Sequence, residues 1–316
     1  MQRMTRREFT KRALAVPITA SMIPFLRCSP AQADDSTEPQ PRQLFFGWKP
    51  ESPEYVPERT FLVPRSIQRQ QLKPVDLRDE KTWPEPYYQG NLNSCVVNAI
   101  AFAVWYVRYQ ANENPPFPPS RLFLYYFARA KEHTVSENAA IWPSSAFDVL
   151  RHNGVCSEKE WPYDEDGGAG GGFRPGSIAA QQPSQTAIDD AKPHIDILDH
   201  GLRTLEDMQR CLMAGFPFVF GFYIYNSFYK EGTYDPVHKT GTPKVVIPYP
   251  KDGDIKTGEG HCVVAVGYND KKQFICRNSW GTEYQDRGYF YMPFDYLTDP
   301  KLSQPGTCLK RVQAIE

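Results

Sequence analysis

The segment Cys95–Gln110 constrains the fold of this chain more than any other part of its sequence. It runs for sixteen residues without glycine or proline, and most of these residues are apolar. Strands rarely exceed about ten residues, so a run of this length predicts a helix. Because apolar residues lie on nearly all sides of that helix, it must be buried in a core. Asn93 or Ser94 is expected to cap its N-terminus, which places Cys95 in the first turn.

The sequence pattern is helical in the first half of the chain and strand-like in the second. Shorter helices are predicted at residues 121–129, 144–152 and 205–214. Runs of β-branched and aromatic residues predict strands at residues 216–225, 263–268, 273–277 and 288–292. A glycine-rich loop is expected at residues 164–176. This segregation indicates an α+β protein with two lobes, mainly helical over residues 75–192 and mainly β over residues 193–316.

The first 33 residues have the features of an export signal. TRREFTKR (residues 5–12) is a basic head, residues 13–26 are mildly apolar, and AQA (residues 31–33) offers the small residues of a cleavage site. The paired arginines followed by Phe9 are similar to the bacterial twin-arginine signal. Since the apolar run is short and interrupted by two prolines, we expect cleavage rather than a lasting membrane anchor. The mature protein is expected to begin near Asp34 and to be periplasmic or secreted.

The composition of the 316-residue chain excludes two classes of protein. Its 36 lysine and arginine residues nearly balance 37 aspartate and glutamate residues, giving a formal net charge of -1. Non-specific nucleic-acid binding requires a basic face, so no nucleic-acid partner is expected. Charged residues interrupt every long segment after the first 33, which excludes a polytopic membrane protein.

Cys95 is the candidate nucleophile. A thiol in the first turn of a helix lies beside unpaired backbone N–H groups and the positive end of the helix dipole, and both favour the thiolate. The alternative is a small buried apolar residue, which is what most free cysteines are. Gln89 lies shortly before Cys95, and its side-chain amide could join the Cys95 backbone N–H in stabilising an oxyanion.

His261 and Asn278 are expected to meet across a hairpin. A turn predicted at residues 269–272 pairs the strand that begins near His261 with the strand that ends before Asn278. The two residues are at similar distances from the turn, so the amide can hold the imidazole in one orientation, with Trp280 shielding that contact from water. A thiolate, an imidazole and an orienting amide are the groups that acyl transfer requires.

In these segments the chain resembles the papain-like cysteine peptidases. Three blocks occur in the family's order: QGNLNSC (residues 89–95), GHCVVAVGY (260–268) and NSWG (278–281). Two further stretches, GVCSEKEWPY (154–163) and GYF (288–290), are also similar to family segments. The resemblance therefore covers about residues 74–295.

The resemblance implies a fold, a reaction and a role for each site residue. The fold has a helical lobe and an antiparallel β-barrel-like lobe, with peptide bound in the cleft between them. Cys95 is the nucleophile, His261 the general base and then acid, and Asn278 the orienter of His261. Gln89 is the oxyanion donor and Trp280 the cover. The reaction is hydrolysis of a peptide bond in a peptide or protein substrate through a thioester, without cofactor or metal.

The chain also departs from the family pattern. Leu92 and Val96 stand where the family usually has a cysteine and a tryptophan, and nothing near residues 138–140 matches the glycine pair that the family presents to substrate. These features are more similar to a divergent bacterial branch than to the plant or lysosomal one.

Residues 34–74 are rich in proline, glutamine and arginine, which predicts an extended arm rather than a domain. Apolar patches around Trp48 and Phe61 interrupt it. We hypothesise that these patches hold the arm against the cleft or the lobe surface, as a short pro-segment or as a permanent belt. An active protein that begins near residues 72–76 would indicate removal of the arm.

Several alternatives remain open. The chain could be another Cys–His acyl-transfer enzyme, such as a cell-wall amidase or a transglutaminase, or a non-catalytic or differently specific protein of the same fold.

Cys262 and Cys276 are expected on opposite faces of the sheet. One disulfide can form among three other cysteines, Cys156, Cys211 and Cys308. No cysteine or histidine spacing indicates zinc.

Overall fold

The fold is taken from a computed structural model, which describes residues 44–311 except for 53–54, 56, 58, 80, 114–115, 170, 193–196 and 229–245. The export signal predicted at residues 1–33 and the first part of the arm lie outside the described residues. The helices are α1 (Arg65–Gln68), α2 (Cys95–Gln110), α3 (Arg121–Lys131), α4 (Pro143–His152), α5 (Gln185–Ala191), α6 (Leu205–Met213) and α7 (Phe294–Thr298). The strands are β1 (Val75–Asp76), β2 (Gly168–Ala169), β3 (Gly172–Phe173), β4 (Ile197–Gly201), β5 (Phe218–Tyr225), β6 (Lys256–Tyr268), β7 (Gln273–Arg277), β8 (Tyr289–Pro293) and β9 (Thr307–Arg311).

Helix α2 is the buried helix that the sequence predicts, with the predicted bounds. Its side chains are buried as far as Arg108, because it packs against strand β6 and against helices α3 and α4. The predicted side-chain cap is wrong. Ser94 occupies the N-cap position, but its hydroxyl pairs with the Tyr163 hydroxyl at 2.6 Å and accepts no bond from the first turn of the helix backbone. None of the helices in the described part of the chain is long and apolar enough to cross a membrane.

The second half of the chain forms an antiparallel sheet in the order β4-β9-β5-β6-β7-β8, to which β1 is added beside β6. The predicted hairpin is present, since β6 and β7 pair with Val264 opposite Arg277. Strand β6 begins at Lys256, earlier than predicted. His261 therefore lies inside this central strand and not at the strand's first residues. The α+β prediction is confirmed. Within the described residues the sheet stays open, so the lobe resembles a barrel only loosely.

The sheet has an apolar core on each of its faces. Successive side chains of a strand point to opposite faces, and β6 follows this rule. Cys262 and Val264 pack with the helices, whereas Val263 and Ala265 pack in a second, aromatic-rich cluster. Cys276 belongs to that second cluster, so Cys262 and Cys276 face opposite sides of the sheet as predicted, and neither is in a disulfide.

Residues 164–176 are more ordered than the loop that the sequence predicts. Strands β2 and β3 form a short hairpin in this segment. The Asp164 carboxylate holds its base, since it accepts hydrogen bonds from the Ser177 hydroxyl and the Ile178 N–H and forms an ion pair with Arg174 at 2.8 Å. The glycines therefore serve a hairpin rather than an irregular loop.

The described part of the arm, together with strand β1 directly after it, contains two segments with different contacts. Residues 59–76, which we call the belt, run along the sheet half. In the belt, Thr60 bridges to Gly201, Phe61 packs on Phe216, and strand β1 pairs with β6. Residues 45–49, which we call the plug, lie instead where the N-terminus of α2 meets β6.

Candidate active site

His261 and Asn278 form a short side-chain hydrogen bond beside the N-terminus of α2. His261 Nε2 lies 2.7 Å from Asn278 Oδ1, which also accepts the Ser279 N–H at 2.8 Å. Because Oδ1 is the acceptor in both bonds, His261 donates from Nε2 and its Nδ1 carries the lone pair. Nδ1 is buried and has no hydrogen-bond partner among the described residues. The imidazole is therefore oriented with a basic nitrogen available.

Trp280 covers this pair, at the position the sequence indicates. Its indole stacks on the His261 imidazole with ring centroids 4.3 Å apart and an interplanar angle of 17°. Its Nε1 donates to the carbonyl oxygen of Phe45 at 3.1 Å. An apolar ring over the imidazole keeps water from competing for the hydrogen bond to Asn278.

Gln89 is fully buried, and its amide has a fixed orientation. Its Oε1 accepts the Ser279 hydroxyl at 2.6 Å, and its Nε2 donates to the Leu92 carbonyl at 2.8 Å and to the Phe46 carbonyl at 3.3 Å. The amide NH₂ thus points at a carbonyl oxygen of the plug.

Ser279 links both halves of the site, because its N–H binds Asn278 and its hydroxyl binds Gln89. Sequence analysis missed this role, although Ser279 directly follows Asn278 in the NSWG block.

Cys95 lies at the N-terminus of α2 with its thiol against the backbone of Cys262, the residue after His261. Burial raises the pKa of the Cys95 thiol to about 12, although N–H groups of Cys262, Val96 and Cys95 itself favour the thiolate. Burial likewise lowers the pKa of His261 to about 4, against the effect of Asn278. Desolvation therefore opposes the predicted thiolate in this closed arrangement and outweighs the effect of the helix N-terminus. Burial favours the neutral form of His261 as well.

The plug packs over part of the site. The Phe46 ring meets the rings of His261 and Trp280 edge-on, at 5.6 Å from each. With the plug in position, Cys95, His261 and Gln89 each have 0% of their surface exposed.

No group of three His, Cys, Asp or Glu side chains in the described ranges is arranged to hold a metal ion.

The plug is bound through its backbone at both edges, as an extended peptide is. On one edge Ile141 donates its N–H to the Gly47 carbonyl at 3.0 Å and accepts the Lys49 N–H at 2.9 Å. On the other edge the Gly260 carbonyl accepts the N–H groups of Gly47 and Trp48 at 3.3 and 3.2 Å. A peptide-binding edge therefore exists just after residues 138–140, without the glycine pair of the family. Ile141 binds through its main chain, and residue type does not reveal main-chain hydrogen bonds. Sequence analysis therefore gave no indication of this residue.

Asn138 is a further residue that sequence analysis did not identify. Its Oδ1 accepts the Asn93 N–H at 2.8 Å and the Tyr125 hydroxyl at 2.9 Å, and its Nδ2 donates to the Asn91 carbonyl at 3.0 Å. These bonds fix the loop that leads into Cys95, where Leu92 replaces the family cysteine. Asn138 thus positions the start of α2.

Comparison with known proteins identifies similar chains. A family model described as papain family cysteine protease matches residues 136–298, a range that contains His261 and Asn278 but not Cys95. An uncharacterized peptidase C1-like protein of Acanthamoeba polyphaga mimivirus is 32% identical over 78% of this chain and 77% of its own length. Bovine (Bos taurus) pro-cathepsin H is 30% identical over 47% of this chain, and the match spans 38% of that protein.

A solved structure is similar over most of the chain. It is that of xylellain, a cysteine protease from Xylella fastidiosa, which is 32% identical to this chain. The alignment covers 85% of this chain and 96% of xylellain, with a TM-score of 0.75. The structure of procathepsin B from Trypanosoma congolense shares the fold at 15% identity, with a TM-score of 0.63 over 85% of this chain and 87% of that chain.

Proposed function

This chain belongs to the papain family of cysteine proteases, and on that premise we propose that Cys95, His261, Asn278 and Gln89 are its catalytic residues. The chain is a hydrolase of the papain-like cysteine peptidase type, for which peptides are the substrates. No feature of the site requires a cofactor for this chemistry.

In the proposed mechanism the Cys95 thiol transfers its proton to His261 Nδ1 and attacks the carbonyl carbon of the substrate. Asn278 holds Nε2–H, which fixes the imidazole in the tautomer that can accept this proton. The Gln89 amide and the Cys95 N–H stabilise the oxyanion. His261 then protonates the leaving amine. Water, deprotonated by His261, hydrolyses the resulting thioester and restores the Cys95 thiol.

The plug is the observation that supports this proposal most. It is a peptide segment bound along the groove, and the Phe46 carbonyl accepts a hydrogen bond from Gln89 Nε2. A peptide carbonyl therefore already contacts the proposed oxyanion donor, while a ring of the same residue lies against His261. A groove with this arrangement recognises peptide backbone next to a nucleophile and a base.

We also propose that the plug is an inhibitory pro-segment and that the belt is retained. The plug lies in the groove against His261, Trp280 and Gln89, whereas Phe61 of the belt is 3% exposed and belongs to the apolar core of the sheet. A cut between plug and belt would free the groove and leave Phe61 in that core, although Phe46 and Trp48 of the plug also pack with the apolar clusters. The arm of residues 34–74 then has two parts, a removable plug and a structural part that stays with the lobes. The helical lobe is at residues 75–192 and the β lobe at residues 193–316.

The proposal further includes export. The paired arginines, the apolar run and the AQA sequence within residues 1–33 support a twin-arginine signal and a periplasmic or secreted protein. The 32% identity to xylellain, from the bacterium Xylella fastidiosa, supports placing the chain in a bacterial branch. N-terminal sequencing of the exported protein tests this, with a start near Asp34 or later expected.

Hydrolysis of fluorogenic peptides tests the catalytic assignment. The assay uses the full chain carrying Phe46→Ala and Trp48→Ala, which we call the opened chain, because these changes weaken the plug. Adding Cys95→Ala or His261→Ala should abolish turnover. Adding Cys276→Ala, a buried cysteine on the other side of the sheet, should not. Turnover that survives Cys95→Ala would contradict the assignment, and cleavage of peptidoglycan fragments instead of peptides would indicate an amidase.

A further inference from the structure

Most of the belt, residues 59–73, carries positive charge and no negative charge, and we call it the basic strip. It contains four exposed basic side chains, those of Arg59, Arg65, Arg69 and Lys73. None of the four forms an ion pair with another residue in the part of the chain that the structure describes. Outside residues 1–33 the chain has 30 basic and 36 acidic residues, a net charge of -6. A chain that is acidic there therefore collects cations on one segment.

Two leucines are exposed on the same segment. Phe61 is buried in the core of the sheet, but its neighbour Leu62 points away from the sheet and is 79% exposed. Leu72, near the other end of the strip, is 36% exposed. Burying such side chains away from water is favourable. The strip therefore offers apolar surface as well as charge.

Helix α1, in the middle of the strip, is fixed to the rest of the fold. Arg65 begins this helix and Arg69 follows one turn later, so both side chains lie on one side of it. Arg210 of helix α6 donates to the Ile67 carbonyl at 2.7 Å and to the Gln70 carbonyl at 3.2 Å. The backbone that carries the two arginines is thus ordered before any partner binds, which lowers the entropic cost of association.

Lys310 adds a further positive charge beside the strip. Its ammonium lies 4.2 Å from the centroid of the Phe61 ring and 4.9 Å from that of the Phe216 ring. Burial lowers the pKa of His200, and the charges of Lys310 and Arg59 lower it further. The first residues of the strip therefore lie in a region of positive potential.

We propose that the basic strip, together with Lys310, binds the surface of a bilayer that contains anionic phospholipids. The cations would contact lipid phosphates, while Leu62 and Leu72 enter the boundary between headgroups and acyl chains. Basic side chains next to exposed apolar ones are the combination that interfacial binding uses. A soluble polyanion would satisfy the cations but leave both leucines in water. Because the belt is the part of the arm that we propose is retained, the strip would remain on the active protein.

Sedimentation of the full chain with lipid vesicles tests this proposal. The chain should bind vesicles that contain phosphatidylglycerol at least about tenfold more tightly than vesicles of phosphatidylcholine alone. Added salt should weaken the binding, because it screens exposed charges. Residues 1–33 are also basic, so the contribution of the strip is measured with variants that leave those residues unchanged.

The first variant removes charge from the strip. It replaces three cations by neutral residues: Arg65→Gln, Arg69→Gln and Lys73→Gln. Each basic residue near an anionic surface contributes about fivefold to binding, so the three changes should weaken it at least about thirtyfold. The matched control makes the same change in charge at three exposed lysines elsewhere: Lys159→Gln, Lys192→Gln and Lys251→Gln. Equal losses for the two variants would show that only net charge matters and would overturn the proposal.

The second variant tests the apolar contact and therefore the kind of partner. Leu62→Ser should weaken vesicle binding about tenfold. Ile255→Ser is its control, because Ile255 is 68% exposed but lies outside the strip. Binding that depends on the charges and not on Leu62 would indicate a soluble polyanion, and binding that neither variant weakens would come from another part of the chain. Either result would overturn the proposal. None of these measurements uses peptidase activity, so a failure of the catalytic assignment would leave them unchanged.

Discussion

The plug and the belt belong to one continuous arm, yet they are held by different kinds of contact. The plug is held by main-chain hydrogen bonds to Ile141 and Gly260 and by two rings, those of Phe46 and Trp48, in a groove. The belt contributes Phe61 to the core of the sheet and adds strand β1 beside β6. Phe46 and Trp48 of the plug also pack with the apolar clusters, but the plug contributes no strand to the main sheet, whereas the belt contributes β1. The comparison thus assigns inhibition to the plug and stability to the belt.

The largest expected effect concerns the belt. Phe61→Ala should lower the free energy of unfolding of the full chain by about 3–5 kcal/mol, because it removes a buried ring from the core. Chemical denaturation monitored by fluorescence measures this loss. Leu62→Ala is the matched control, since Leu62 is 79% exposed and its truncation should cost less than about 0.5 kcal/mol. Equal losses for the two variants would show that the belt is only surface-bound.

The second prediction concerns pH and separates the plug from the belt. The pKa of His261 is lowered to about 4 in the plugged state, compared with about 6.5 when exposed. The open state therefore binds the proton more readily, so plug binding is complete above about pH 6.5 and weakens as the pH falls toward 4. Cys95 gives the opposite pH dependence, because its pKa is raised in the plugged state. The open state therefore loses the thiol proton more readily, and plug binding weakens above about pH 8.5, where an exposed thiol ionises.

Hydrogen exchange at pH 7 and pH 4.5, corrected for intrinsic rates, measures this effect. The amides of Gly47, Trp48 and Lys49 should lose about 10–100-fold of their protection at the lower pH. The amide of Phe61, which donates to the Gly201 carbonyl, is the internal control and should keep its protection. A parallel loss in plug and belt would show that the whole arm opens as one unit.

A smaller effect is expected at Glu51, two residues after the plug. Gln304 accepts the Glu51 N–H at 2.7 Å and donates to the Glu51 carbonyl at 2.8 Å. Gln304→Ala removes both bonds and should increase opening of the plug about tenfold, seen as faster exchange of its amides. Gln181→Ala is the control, because Gln181 also binds two carbonyls, of Gly176 and Ser177, but not the arm. If both variants behave alike, Glu51 does not anchor the plug.

Local patterns in the sequence predicted the parts of the fold that have a clear period. The bounds of α2 follow from sixteen residues without a helix breaker, and those of β7 from a short apolar run next to a turn. The hairpin register brought His261 and Asn278 to hydrogen-bonding distance because strand pairing is set by the turn. The side-chain cap at Ser94 failed because Tyr163, distant in sequence, binds the hydroxyl instead.

The parts that sequence could not predict depend on contacts between distant segments. Ile141 binds the plug through its backbone, which no residue type reveals. The helix N-terminus alone predicts a thiolate at Cys95, but burial of the thiol among residues of distant segments such as Cys262 raises its pKa. Gly221 carries no motif, and only the structure shows that the Trp48 indole packs directly on its backbone.

The central claim is that the plug covers a peptidase nucleophile, Cys95. The most direct test is the rate at which a peptidyl epoxide labels the protein, with the labelled residue identified by mass spectrometry. The account predicts that the opened chain reacts at Cys95 alone and at least about tenfold faster than the unmodified chain. Equal rates for the two chains, or label on a cysteine other than Cys95, would contradict it.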